Sequence, residues 1–159
     1  KSSINFVMNH EYFMAEALKL ALIAANLGEV PVGAVVVVNK QVVGRGFNLR
    51  ELKNSCLEHA ELIALKQASS KLGRWRLNDA TVYTTLEPCI MCAGALLHAR
   101  INLLVYGAAD PKFGAIESLY KLGEDRRLNH GFQSVSGIKS VECAELLKQF
   151  FRNIRCRQS

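Results

Sequence analysis

Hydrophobic residues recur with two different spacings along this chain, and the spacings alternate. From residue 9 to about 27 they recur every three or four positions, which predicts an amphipathic helix that Asn9 caps and Gly28 ends. Two short valine-rich runs then predict a β-hairpin: residues 32–38 and 41–45, joined at Asn39-Lys40. A polar stretch without a clear period, residues 48–58, predicts a loop.

The second half of the chain alternates between helical and extended patterns. The predicted order is helix, strand, helix, strand, loop with a short helical piece, weak strand and helix, over 59–73, 80–86, 88–100, 102–108, 109–118, 131–136 and 140–155. Pro88 suits the first turn of its helix. The order predicts an α/β fold, a three-layer α/β/α sandwich whose mixed sheet combines one antiparallel hairpin with parallel crossovers.

Composition narrows the class of protein. The 159 residues are 50% hydrophobic and 21% charged, which predicts one globular domain over residues 1–159. No run approaches the ~20 apolar residues of a membrane helix, and the N-terminus lacks the apolar core of a secretory signal. Five unevenly spaced cysteines indicate reduced thiols and a cytoplasmic location rather than a disulfide framework. The net charge of +6 is compatible with a nucleic-acid partner, although ordinary basic enzymes are more common.

Two cysteines lie at the start of a predicted helix in "TTLEPCIMCAGAL". Cys89 and Cys92 are three residues apart, so both sulfurs face one side of a single turn. The thiolate, which is the metal-binding form, is favoured at a helix N-terminus by the free N–H groups and the dipole. Such a pair alone is also typical of a redox motif or of two inert buried residues.

A second helix start carries His59 and Glu61. On a regular helix these positions point roughly 200° apart, so they would not both bind one metal ion. His59 can bind while Glu61 leans over the remaining coordination position. A zinc ion with one His and two Cys keeps that position open for water, zinc lowers the pKa of the water, and a glutamate can move the proton. The alternative is a helix-capping His59 and a solvated Glu61; the joint pattern with the two cysteines favours the metal.

Cys56 suggests a rival arrangement, because it lies three residues before His59. Cys56, His59, Cys89 and Cys92 would make a closed, structural zinc site without an open position. Glu61 argues against it, since a structural site does not use an acid near the metal.

The motifs "HAE" and "EPCIMC" together resemble the zinc-dependent cytidine-deaminase superfamily, whose signature is H-x-E…P-C-x-x-C. The likeness extends to the branch that acts on bacterial tRNA. Its segments cover about residues 12–155: "EVPVGAVVV", "GFN", "WRLNDATVYTTLEPCIMCAGALLHARI", "VYGAADPKFGA", "LNH" and "ECAELLKQFFR". The resemblance implies a cytidine-deaminase-like fold, a homodimer with one zinc per subunit, and deamination of adenosine to inosine at the wobble position of a tRNA, in particular an arginine tRNA.

The resemblance also implies roles for individual residues. His59, Cys89 and Cys92 match the zinc ligands, and Glu61 matches the general acid/base. The substrate positions are Asn48 and the backbone N–H of Ala60 for the flipped adenine, Val30, Pro31 and Leu86 for apolar walls, and Asp110 for a loop near the RNA. Two departures stand out: "SCLE" at 55–58 replaces an Asp-Pro-Thr-Ala-like run, and Glu117 replaces a small residue.

The C-terminal segment is rich in aromatic and basic residues. Its members are Lys148, Phe150, Phe151, Arg152, Arg155 and Arg157. They are expected to contact RNA, although the same charges would also complement the dipole of a solvated helix end. This cluster favours an RNA substrate over a free nucleobase, and Glu61 favours an enzyme over a scaffold with a structural zinc.

Overall fold

The computed structural model describes residues 2–158, and the side chains of residues 9–158. Within that range the chain forms four α-helices, five strands and one turn of 3-10 helix at Leu122–Glu124. The elements are α1 (Ser2–Asn26), β1 (Gly33–Val38), β2 (Gln41–Phe47), α2 (Ala60–Leu72), β3 (Thr81–Leu86), α3 (Ile90–Ala99), β4 (Leu103–Ala108), β5 (Gln133–Val135) and α4 (Ser140–Gln158). No helix in the described range has the length and apolar character needed to cross a membrane.

The five strands form one mixed sheet in the order β2-β1-β3-β4-β5. β1 is antiparallel to both of its neighbours, while β3, β4 and β5 run parallel. Two apolar cores lie on opposite faces of the sheet, one shared with α2 and α3 and the other with α1 and α4. The predicted three-layer α/β/α arrangement with a mixed sheet is therefore confirmed.

The predicted hairpin joins β1 to β2. Asn39 and Lys40 have φ values of 52° and 61°, as a two-residue turn of the type that matches strand twist requires. The six residues of β1 are all buried because the sheet is covered on both faces. This explains why β1 is a continuous apolar run and not an alternating one.

Two predicted helix starts are wrong in detail. Asn9 lies inside α1, which begins at Ser2 because no proline or glycine interrupts residues 2–8. Pro88 lies before α3 and not in its first turn, because Cys89 is the extended N-cap residue with φ −73° and ψ 176°. The second correction places Cys89 at the N-cap position, directly before the first residue of α3.

Helix α2 packs against the bare backbone of β2. A Cβ atom added to Gly44 or Gly46 would come 2.2 Å from the carbonyl oxygen of Ala64 or Ala60, respectively. The two glycines therefore let α2 approach the sheet more closely than side chains would allow. This contact sets the position of the first turn of α2, which carries Glu61 next to the cap residue His59.

Candidate active site

Loops from four parts of the chain gather at one edge of the sheet. The parallel strands β3 and β4 both end there, and antiparallel β1 begins there. A pocket of about 720 Å³ opens between these loops. Its lining combines apolar side chains with polar groups at Val30, Val32, Asn48, Arg50, Cys56, His59, Ala60, Glu61, Leu86, Glu87, Cys89, Ile90, Met91, Ala109, Asp110, Lys112, Phe113, Leu147 and Phe151.

Two helix caps project into this pocket side chains of the types that can bind metal ions. His59 caps α2 and Cys89 caps α3; both have extended backbones, and neither side chain makes a capping hydrogen bond. The Nδ1 atom of His59 lies 3.7 Å from the Sγ atom of Cys89 and 3.4 Å from that of Cys92. The three ligand atoms lie within 4.8 Å of one another. The structure thus brings the predicted donor set together.

The spacing of the three donors fits a tetrahedral metal ion. Zinc bonds of about 2.3 Å to sulfur and about 2.05 Å to nitrogen would separate N and S by roughly 3.6 Å. The two measured separations, 3.7 and 3.4 Å, lie on either side of that value. One imidazole and two thiolates match the preference of zinc for nitrogen and sulfur, and three protein ligands leave one tetrahedral position for another group.

The three side chains share protons through hydrogen bonds, and this sharing shifts the pKa of each of them. Hydrogen bonds from the Cys92 thiol and from His59 lower the pKa of Cys89 to about 4. The pKa of Cys92 is raised, because its proton is held by Cys89 and because it is buried. The pKa of His59 is raised by its hydrogen bond to Cys89. A cation at the centre of the cluster would displace these protons and stabilise both thiolates.

Glu61 lies beside the three donors but outside their set. Its side chain is only 4% exposed, and burial raises the pKa of its carboxyl group. The i, i+2 argument for a regular helix does not apply here, because His59 is an extended cap residue and not part of α2. Both side chains therefore reach the pocket.

Cys56 stands at the pocket without joining the donor cluster. Its side chain is exposed, and the cluster of mutually close donors contains only His59, Cys89 and Cys92 among the described residues. The closed four-ligand alternative is therefore wrong for this structure. The loop that precedes His59 places Cys56 on the rim of the pocket.

We expect Cys56→Ala to keep one metal ion per chain and most of the activity, because Cys56 supplies no ligand. Metal content by mass spectrometry and turnover of the purified variant check this. Cys89→Ala is the matched control, since it removes a thiol that belongs to the cluster and should lower metal content. If Cys56→Ala purified without metal, the result would instead support the closed four-ligand site.

Asn48 is held in one orientation by its neighbours. Its Nδ2 atom donates to the carbonyl oxygen of Val30 at 3.2 Å, and its Oδ1 atom accepts from the N–H of Arg50 at 3.1 Å. These bonds assign the two ends of the amide and leave it 8% exposed at the pocket. The remaining amide hydrogen and oxygen lone pair are thus available at a defined place.

The other predicted substrate positions divide into two groups. Val30, Ala60, Leu86 and Asp110 line the pocket. Pro31 does not line it; its side chain is buried, because the turn that enters β1 directs its neighbour Val30 to the pocket instead. The prediction that Pro31 forms a wall of the pocket is therefore wrong, because Pro31 is buried outside the pocket lining.

Two buried glutamates hold the loops on either side of the pocket, and sequence reasoning missed both. Glu87 is 2% exposed and accepts five hydrogen bonds from the loop that follows β4: from the N–H groups of Asp110, Ile116, Glu117 and Ser118 and from the Ser118 hydroxyl. Burial would raise the pKa of Glu87, but these bonds outweigh it and lower the pKa.

Glu29 acts in the same way on the loop before His59. Its carboxylate is 1% exposed and accepts from the N–H groups of Glu51 and Leu52 at 3.0 and 2.8 Å. The sequence does carry a signal for both buried glutamates: each is an acidic residue within an apolar segment, Glu29 in "GEVPVGAV" and Glu87 in "TTLEPC". A charge in such a place needs a buried partner.

The C-terminal cluster is only partly at the pocket. Phe151 lines it, whereas Phe150 meets Phe151 edge-on with ring centroids 5.5 Å apart and is not in the lining. Arg152 pairs with Glu145 at 2.7 Å. Arg155 and Arg157 are exposed on the last turn of α4 and are not among the pocket residues.

The Glu117 side chain faces away from the pocket. It is not among the lining residues, and burial together with a hydrogen bond to Glu117 raises the pKa of Tyr106. The hydrogen bond therefore directs the Glu117 carboxylate toward Tyr106 and not into the pocket.

Comparison with known proteins shows extensive similarity. Residues 8–155 match the MafB19-like deaminase family. The chain is 44% identical over 92% of its length to a tRNA-specific adenosine deaminase of Streptococcus pyogenes serotype M1, covering 86% of that protein. It is 46% identical over 91% of its length to a tRNA-specific adenosine deaminase of Bacillus subtilis, covering 90% of that protein.

A solved structure extends the comparison to the fold. It comes from a study of A-to-I editing by tRNA A34 deaminases at the wobble position of transfer RNA, and it is 42% identical to this chain. The TM-score is 0.82, and the match covers 86% of this chain and 99% of the other.

Proposed function

The chain belongs to the MafB19-like deaminase family, and from this premise we propose that it is a zinc-dependent enzyme that converts adenosine to inosine at the wobble position of a tRNA. The observation that carries the proposal is the convergence of His59, Cys89 and Cys92 within 4.8 Å, with Glu61 beside them in one pocket. A scaffold with a structural zinc would not need that acid.

His59, Cys89 and Cys92 would hold the zinc ion. When bound, zinc supplies a Lewis acid that makes a water molecule a strong nucleophile near neutral pH. The N-cap positions of His59 and Cys89 assist, because the free N–H groups of two helix N-termini favour negative charge at this place.

Glu61 moves the protons of the reaction. Its carboxylate accepts a proton from the attacking water and delivers it to the ring nitrogen N1 as the C6–O bond forms. Glu61 then passes a second proton, from the hydroxyl group now on C6, to the exocyclic nitrogen. The C6–O double bond forms as the C6–N bond breaks, and ammonia leaves. Adenosine and water thus become inosine and ammonia, with Glu61 returned to its starting state. The buried position of Glu61 keeps its carboxyl group away from bulk water.

The pocket walls orient the base. The fixed amide of Asn48 offers one donor and one acceptor to the purine edge. The N–H of Ala60, the first residue of α2, has no carbonyl partner within its helix and can donate to the base. Val30 and Leu86 supply apolar contact with the ring faces.

RNA is favoured over a free base by the surroundings of the pocket. An unpaired anticodon-loop adenosine is extruded at little cost compared with a duplex base. The exposed cations Arg50 and Lys112 lie at the pocket, and the chain carries a net charge of +6. The proposal includes an arginine tRNA as substrate, a cytoplasmic location and a homodimer, in which a second copy would cover apolar surface such as Leu119 and Tyr120, each 54% exposed.

The test of the function is incubation with transcribed tRNAs followed by sequencing, in which inosine is read as an A-to-G change. We expect the change at the first anticodon position of an arginine tRNA. Parallel incubations with free adenine, guanine and cytosine, assayed for ammonia, test the free-base alternative. Ammonia from a free base without any change in tRNA would refute the proposed function.

Replacing Arg152, Arg155 and Arg157 with alanine should weaken binding to an anticodon stem-loop and flatten its salt dependence. Each phosphate contact contributes roughly −0.7 to the slope of log affinity against log salt for single strands. Because Arg152 is paired with Glu145, we expect Arg155 and Arg157 to contribute more. Activity at saturating RNA should largely survive, since none of the three lines the pocket.

Stem-loop affinity across a salt series measures this effect. The charge-matched control replaces Lys71, Arg74 and Arg76, which lie in or after the last turn of α2, at the opposite end of that helix from His59. Equal affinity and parallel slopes for the parent and the C-terminal variant would remove the RNA role from this segment.

A further inference from the structure

Phe113 is an exposed aromatic side chain at the mouth of the pocket. It is 69% exposed, the largest value among the aromatic side chains that the structure describes, and it lies in the loop after β4. A single exposed apolar residue is ordinary on a protein surface. Phe113 differs because it lines the same pocket as the three metal-binding side chains, and the mechanism proposed above gives it no role.

The backbone that carries Phe113 is held on both sides. The N–H of Phe113 donates to Oδ1 of Asp110 at 3.2 Å, and the N–H of Gly114 donates to the Asp110 carbonyl at 2.8 Å. The N–H of Ala115 donates to the carbonyl of Pro88 at 2.9 Å. Phe113 is thus presented at a defined place, and a ligand that meets it does not have to order the loop first.

The glutamate beneath the loop leaves it little freedom. A Cβ atom added to Gly114 would come 2.3 Å from the carboxyl carbon of Glu87, so the chain passes directly over that side chain. The loop therefore packs inward through Gly114 and Glu87 while it exposes Phe113 outward. An aromatic ring held in water by a fixed backbone is suited to meeting a planar partner.

The residues around Phe113 indicate which class of ligand its ring contacts. Phe151, 45% exposed, enters the same pocket from α4, and the exposed cations Lys112 and Arg50 stand at the same pocket. Aromatic faces beside cations are the combination by which proteins bind single-stranded nucleic acid, through base stacking and phosphate contacts.

We propose that Phe113 is a stacking platform for the base of a nucleotide adjacent to the target adenosine, with Lys112 supplying charge for the phosphate backbone. The inference rests on the proposed function, since it takes the RNA loop as substrate. When the target base leaves the loop to enter the pocket, its neighbours lose a stacking partner. Phe113 replaces that partner and so orients the RNA over the pocket.

The test is a thermodynamic cycle between Phe113 and the neighbouring base. Binding of anticodon stem-loops is measured by fluorescence anisotropy with Glu61→Gln as the parent, so that turnover does not interfere. The RNAs are the intact loop and loops with an abasic site on the 5′ or the 3′ side of the target adenosine. Phe113→Ala should weaken binding of the intact loop roughly tenfold, the size typical of one base–aromatic stack.

The cycle identifies stacking by non-additivity. The abasic site on the contacted side should weaken the parent by a similar factor and add little to the loss in Phe113→Ala. Phe113→Trp should retain affinity. Trp75→Ala is the matched control, because Trp75 is 59% exposed but lies outside the pocket, and it should leave binding unchanged.

Three results would overturn the proposal. They are unchanged affinity in Phe113→Ala, losses that add fully with both abasic sites, or a loss that sedimentation velocity traces to dissociation of two copies of the chain. Failure of the proposed function is a separate result: the unmodified chain would then make no inosine in tRNA. The binding cycle does not depend on turnover and would still decide whether Phe113 stacks on a base.

Discussion

Glu61→Gln is expected to retain the metal ion and to lose turnover by on the order of a thousandfold, the effect typical of removing a general acid/base. Glutamine keeps the size and shape of the buried side chain, so the pocket should remain intact. It cannot accept a proton from water or release one to the purine ring and to ammonia. The three donors, His59, Cys89 and Cys92, are untouched.

Two measurements on the same preparation separate the roles. Metal content per chain by mass spectrometry reports the donor set, and inosine formation in a single turnover reports proton transfer. Glu58→Gln is a matched control: it lies near the same helix start, pairs loosely with Lys53 at 4.0 Å and is not among the pocket residues. Loss of metal in Glu61→Gln would show that Glu61 belongs to the metal site instead.

Glu87→Gln is expected to loosen the loop of residues 109–118 and to lower the free energy of unfolding by about 2–4 kcal/mol. One carboxylate oxygen accepts three backbone N–H groups, and the other accepts the N–H of Asp110 and the hydroxyl of Ser118. An amide has one oxygen, so its NH₂ group would face at least one backbone donor. A buried donor left without a partner costs about 1–3 kcal/mol, and bonds to a charged acceptor are stronger than neutral ones.

Hydrogen exchange locates the effect, and urea unfolding measures its size. In Glu87→Gln the amides of Asp110, Ile116, Glu117 and Ser118 should exchange faster, while those of Glu51 and Leu52 should not. Glu29→Gln is the matched control and should produce the opposite pattern, because Glu29 accepts from Glu51 and Leu52. Uniformly faster exchange in both variants would indicate general destabilisation and would contradict separate roles for the two carboxylates.

The loosened loop has a functional consequence. Asp110 and Phe113 both belong to it and both lie at the pocket. We therefore expect Glu87→Gln to raise the KM for RNA more than it lowers the rate at saturation. Glu87 is a positioning residue in this sense, since it touches the loop and not the reacting atoms.

Much of the fold was readable because its signals are local. The hairpin turn at Asn39-Lys40, the stop at Gly73 and the alternation of strands and helices each depend on a few neighbouring residues. The errors are also local. Asn9 is a residue type that often caps helices, so it was mistaken for the start of α1 although no proline or glycine in residues 2–8 interrupts the helix. A proline near a helix start does not reveal whether it precedes the cap.

The sequence by itself determined the donor chemistry of the site. A histidine and a glutamate at one helix start, and two cysteines three residues apart at another, predict a metal with an adjacent acid from residue type and spacing. Helix starts favour anionic ligands wherever they occur, so this inference needed no knowledge of how the helices pack.

Only the tertiary structure decided which of these groups meet. His59 and Cys92 are 33 residues apart in the chain and 3.4 Å apart in space, because α2 lies on the bare backbone at Gly44 and Gly46 and because β3 and β4 end at the same edge. The same packing leaves Cys56 outside the cluster. It also places Glu87 beneath a loop that begins more than twenty residues later. Local patterns encode periodicity and element ends, whereas convergence of distant side chains depends on sheet order and on how closely the layers approach.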